Sequence, residues 1–162
     1  MIRAGLFCIG LSVAACANAQ LPVVSPEAAV AAARDCAEAI TGGPIDTQVL
    51  EAQGWAAGKI DAEGETIDTP LGIFGKSGDS PILMTAPSED GQPEVCLLTG
   101  SLDRLADFEA INAAFEKTFE AAGKKADNRY FRIGADLAIL SPTGSRNQPS
   151  FRVAVLELGE SE

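Results

Sequence analysis

The chain has no histidine, one tryptophan, one tyrosine and two methionines, and it carries 12 Lys and Arg against 23 Asp and Glu in 162 residues. Each shortage excludes something. Without an imidazole to act as general base or ligand, Ser-His-Asp and Cys-His catalysis and histidine-bearing zinc sites are ruled out. A formal charge of −11 repels phosphate backbones and anionic lipid surfaces, so no nucleic-acid partner is expected. The apolar stretch Ala4 to Ala15 is well short of the roughly 20 residues a bilayer-spanning helix needs. Cysteine is scarce, at positions 8, 16, 36 and 96, and nowhere in a Cys-x-x-Cys spacing, so dithiol redox chemistry of that type is not expected either.

What the N-terminus does contain is a cationic start with Arg3, the apolar stretch, and the small-residue sequence Ala17-Asn18-Ala19 before Gln20. This order predicts a secretory signal peptide over residues 1–19, cut after Ala19. An alternative is carried by Val13-Ala14-Ala15-Cys16, which has the form of a lipoprotein box and would lipidate Cys16. The expected location is the periplasm or the medium, or the outer membrane for the lipoprotein form. Removing Arg3 with the signal leaves 143 residues, the size of a single domain, with a net charge of −12 and no transmembrane segment.

Either processing route leaves Cys36 and Cys96 as an even pair in an oxidising compartment, which predicts one structural disulfide. A cross-link closing that loop removes unfolded-chain entropy worth about 4 kcal/mol.

Along the mature chain, Ser25-Pro26-Glu27 reads as N-cap, first helical residue and dipole-compensating acid. The helix carries Ala29, Val30, Ala33, Cys36, Ala37 and Ile40 on its apolar side and stops at Gly42-Gly43-Pro44. A short helix is predicted from Thr47 to Gln53, with Gly54 as its left-handed stop and Trp55 packed back on Leu50 as a core anchor. Short strands follow at 55–60, 71–76, 82–85 and 95–99. The strongest helical period spans about 104 to 122, capped by Asp103 and ended by Gly123. Leu105, Phe108, Ile111, Phe115, Phe119 and Ala122 form its core face. Strands at 130–133, 137–140 and 151–158 close the chain around a solvated loop over 141–149. The expected fold is α+β, one domain over 20–162, with a single antiparallel sheet of five to six strands, two main helices on it, and one disulfide. No internal repeat is visible.

Four clusters could carry chemistry. Asp61, Glu63, Glu65 and Asp68 are the densest acids and the weak candidates for a metal site or a carboxylate hydrolase, although Gly64 and Gly72 fall at the wrong places for an EF-hand loop. Gly75-Lys76-Ser77 echoes the end of a phosphate-binding loop and offers a Ser-Lys pair, but Pro70 stands where that loop needs glycine. Lys124, Lys125, Arg129 and Arg132 form a basic patch. The lone Trp55 is read as core.

Cys36 in an alanine-rich helix, Leu50-Glu51-Ala52-Gln53-Gly54-Trp55, Met84 in a strand and Cys96 in the next, behind a signal peptide, resemble a group of small exported alphaproteobacterial proteins. The likeness covers residues 1 to about 105 and implies compartment and disulfide, with no activity to carry over. The expected role is therefore a noncatalytic, monomeric envelope protein that binds a protein or small-molecule partner and needs no cofactor, with the acidic-cluster hydrolase as the alternative.

Overall fold

The computed structural model describes residues 20–40, 44–62, 65–67, 71–86 and 95–158; the predicted signal peptide and Cys16 lie outside them. Helix α1, Pro26–Ala39, starts as its sequence dictates. Ser25 is extended, its hydroxyl accepts the Ala28 N–H at 3.2 Å, and Pro26 occupies the first turn, where a missing N–H costs nothing. Its buried side is small throughout, Ala29, Ala32, Ala33, Cys36 and Ala39, which lets the helix axis approach the sheet closely. Helix α2, Thr47–Ala52, is capped by the Asp46 carboxylate, which accepts the Gln48 N–H at 2.9 Å. It ends in the predicted Schellman arrangement: Gly54 has φ +91°, its N–H donates to the Glu51 carbonyl, and the Trp55 N–H donates to the Leu50 carbonyl at 3.0 Å. Trp55 and Leu50 are both buried.

The strands are β1 Ala56–Ala57, β2 Ile60–Ala62, β3 Glu65–Ile67, β4 Gly72–Gly75, β5 Ile82–Ala86, β6 Val95–Ser101, β7 Glu120–Lys125, β8 Asn128–Ile133, β9 Asp136–Gly144 and β10 Pro149–Glu157, with helix α3, Asp107–Thr118, between β6 and β7. Eight of them form one antiparallel sheet in the order β1-β4-β5-β6-β10-β9-β8-β7, and β2 and β3 form a separate ribbon. The class is α+β as expected, but the sheet is wider than five to six strands. The predicted strand at 55–60 contributes only a two-residue β1 to it, and the strand not expected is the edge strand β7, whose six residues are all exposed and so lack the apolar alternation that marks a strand.

Helix α3 is correspondingly shorter than its apolar period. Asp103 does not cap it; the Asp107 carboxylate turns back to accept the Arg104 N–H at 2.9 Å instead. Phe119 leaves the helix in extended conformation, and Gly123, at φ +142°, sits at a bulge within β7 rather than at a helix end. Phe108, Ile111 and Phe115 are buried as predicted, whereas Leu105 is 51% exposed and Ala122 is on the edge strand. The predicted loop over 141–149 shrinks to four residues, because β9 runs on to Gly144 and β10 starts at Pro149. Pro142 is tolerated within β9 because it lies past Leu140, the last residue there that pairs with β8, where the strand is an edge.

The strand order has an internal symmetry that the sequence does not display. Strands from the first half, 1-4-5-6, and from the second half, 10-9-8-7, meet at β6 and β10, whose midpoints Leu98 and Val153 are directly paired. The helices do not follow this symmetry. Val23 bridges Ser101 at the end of β6, and the disulfide joins Cys36 to Cys96 near its start, so α1 runs antiparallel to β6. Helix α3 leaves the same end of β6 and delivers the chain to Glu120, which lies in line with Arg132, Leu137, Leu156 and Val95, so it runs the same way as α1.

Both helices cover one face of the sheet. The row Phe74-Leu83-Leu98-Val153-Leu140 beneath them is at most 4% exposed. Phe115 joins α3 to this face, its ring centroid 5.3 Å from that of Phe131 and 5.4 Å from that of Phe119. The predicted Cys36–Cys96 disulfide is present, with both residues fully buried and their Cα atoms 5.9 Å apart, and it staples α1 to β6.

Candidate functional site

The acids singled out in the sequence divide between described and undescribed residues. Glu63 and Asp68 lie outside the described residues, while Asp61 is in β2 and Glu65 in β3. In the ribbon Asp61 stands opposite Thr66 and Glu65 opposite Ala62, so the two acids are not cross-strand partners. Among the described residues no group of three or more Asp, Glu, Cys or His is close enough to hold a metal ion.

Lys76 has a different role from the one its motif invites. No helix follows Gly75-Lys76-Ser77; the chain enters a turn, and the Lys76 ammonium reaches back to Asp35 Oδ2 at 3.1 Å while lying 5.5 Å from the centre of the Trp55 ring. The same Asp35 oxygen accepts the indole N–H of Trp55 at 2.9 Å. One carboxylate on α1 thereby ties together the end of α2 and the end of β4. Trp55 is 2% exposed, which makes the cluster a structural clamp beside the core rather than a ligand platform.

The basic patch is also dissolved by the fold. Lys124 and Arg129 are register partners on the helix side of the sheet, whereas Arg132 is partnered with Glu120 and Leu137 on the opposite side. Arg129 is further occupied by the Asp127 carbonyl at 3.0 Å and the Glu109 carboxylate at 3.8 Å. Strand alternation separates residues that are neighbours in sequence.

A feature absent from the sequence reading is the outer face of the sheet. Across β4, β5, β6, β10, β9 and β8 runs a register row of Ile73, Met84, Leu97, Ala154, Ile139 and Tyr130. Beside it lies a second row of Ala86, Val95, Leu156 and Leu137. All ten remain part-exposed, while most of their neighbours on the helix side are buried, and no described helix covers them. The charged residues of this face stand at the margins of the two rows, Arg152 on β10 and Arg132 with its partner Glu120 and Lys125 at the β8–β7 edge. A signal for it was present in Ile82-Leu83-Met84, Val95-Cys96-Leu97-Leu98 and Leu137-Ala138-Ile139-Leu140, which are apolar at every position, whereas a sheet with one wet face alternates apolar with polar.

At the far end of the β9–β10 hairpin, Asp136 is buried and stands directly opposite Glu157. Burial first, and the Glu157 carboxylate second, raise its pKa above the usual carboxylate range. Comparison of the chain with protein-family models, with curated proteins and with solved structures finds no match in any of the three.

Proposed function

We propose that this is an exported, noncatalytic binding protein that receives a protein partner on the outer face of its sheet. The observation that carries the reading is the pair of apolar rows centred on Leu97 and Ala154. Ten part-exposed apolar residues in two adjacent rows make a contiguous patch of the kind that marks interaction surfaces, in a molecule otherwise dense in carboxylates. Export is supported by the leader sequence and by the buried disulfide, which suits an oxidising compartment, whether the mature chain is free in the periplasm or medium or is held by a lipid at Cys16. Among the described residues no helix is long and apolar enough to cross a membrane.

A photoreactive amino acid placed at Leu97 in the native envelope tests the reading. It is expected to give a discrete protein adduct that the same group at Ala113, on the exposed side of α3, does not give. No adduct from position 97, or the same adducts from both positions, would overturn it.

A further inference from the structure

Helices α1 and α3 begin at the same end of the sheet, and between their first turns lies a cleft of about 410 Å³. Its floor is apolar and closed: Val24, Leu102 and Ile111 are 5%, 5% and 1% exposed. Its rim carries Asp79, Asp103 and Asp107 with a single guanidinium, Arg104. Val23, 50% exposed, adds an uncovered apolar edge.

Two convergent helix N-termini would ordinarily favour an anion. Here the chain already supplies the acceptors. The Ser25 oxygen takes the Ala28 N–H of α1, and the Asp107 carboxylate takes the Arg104 N–H ahead of α3. Hydrogen bonding from the Ser25 side chain, and then from the backbone N–H groups of Asp79 and Ser25, lowers the pKa of Asp79 below its ordinary value. Arg104 is spent on Asp107, Nη2 to Oδ1 at 2.7 Å. Among the described residues, Asp79 and Asp103 have no cation within 4.0 Å. An anion entering the cleft would meet this surplus of negative charge, and a cation would be the complement.

We propose that this cleft binds a small molecule or side chain with a cationic head and a short apolar body, the ammonium or guanidinium lying between Asp79 and Asp103 and the body on Val24, Leu102 and Ile111. Its volume is in the range of small-ligand sites, and the net charge of −11 draws cations toward it. The cleft is at the helix-side end of the molecule, so the proposal does not rest on the outer sheet face.

Hexylammonium and hexanoate, which share an apolar chain and differ in the sign of the head, test it by amide chemical-shift titration of the mature protein. Hexylammonium is expected to shift Val24, Leu102 and Ile111 saturably and hexanoate to leave them in place. The Asp79→Asn, Asp103→Asn double variant is expected to weaken hexylammonium by roughly tenfold or more, the scale of losing charge-assisted contacts. Equal or tighter binding of hexanoate, shifts that map away from these three residues, or undiminished binding by a folded double variant would overturn the proposal. The first two readouts use the unaltered chain and stand even if the variant does not fold.

Discussion

Asp136 and Glu157 face each other across β9 and β10 with Asp136 buried, so two carboxylates that would both ionise in water are held side by side. Because the folded pKa of Asp136 lies above its unfolded value, its contribution to stability is full below about pH 4 and is lost as pH rises through the raised value. Asp136→Asn is therefore expected to raise the urea midpoint at pH 7 and to change it much less at about pH 3.5. Asp79 and Asp107, whose pKa values are lowered, work in the opposite direction but equally in both proteins, so they cancel from the comparison. An equal effect at both pH values would show the two acids to be uncoupled from folding.

Phe115 is fully buried and contacts Phe119 and Phe131, which makes it the hinge of α3 on the sheet. Phe115→Ala is expected to cost about 3 to 5 kcal/mol by chemical denaturation, whereas Leu105→Ala, at an exposed site, is expected to cost less than about 0.5 kcal/mol.

Replacing Cys36 and Cys96 together by alanine is expected to lower stability by about 2 to 5 kcal/mol, with the fold retained. Thiol labelling of the denatured, unreduced mature protein is expected to find no free thiol. Two labelled cysteines, or a disulfide-linked dimer, would contradict the staple between α1 and β6.

Asp35 serves Trp55 and Lys76 with one oxygen, and the two partners are not equivalent. Asp35→Ala strands a buried indole N–H and is expected to cost about 1 to 3 kcal/mol. Lys76→Met leaves that hydrogen bond in place and removes a part-exposed ion pair together with the ammonium over the Trp55 ring, so a loss of about 1 kcal/mol or less is expected. Thermal or urea unfolding of the two variants measures the difference.

Local signals were the most legible in the sequence. Ser25-Pro26 and Gly54-Trp55 each act over three or four residues, and each does in the fold what its chemistry requires. The cysteine pairing was legible because compartment and parity constrain it without geometry. Glu120 to Lys125 were misread because an exposed edge strand has no apolar alternation, so the period of α3 ran on through Ala122. The outer face was missed for a different reason. Leu97 and Leu98 are equally apolar, and only the register across six strands shows that one is under a helix and the other is not. The cleft joins Ser25, Asp79 and Asp103, which are distant in sequence and share no motif.

The meeting of the two half-sheets at β6 and β10 has a consequence for the order of folding under the export proposed above. A chain emerging N-terminus first would deliver α1 and β6, and with them both cysteines of the disulfide, ahead of α3 and β7 to β10. The first half would then be open to oxidation before the second is present. Until β10 arrives, Val95 to Ser101 present an unpaired strand edge beside an apolar surface, open to any strand of matching register. The strand whose register matches that edge is β10, so the edge is closed only when the C-terminal half folds back onto the first.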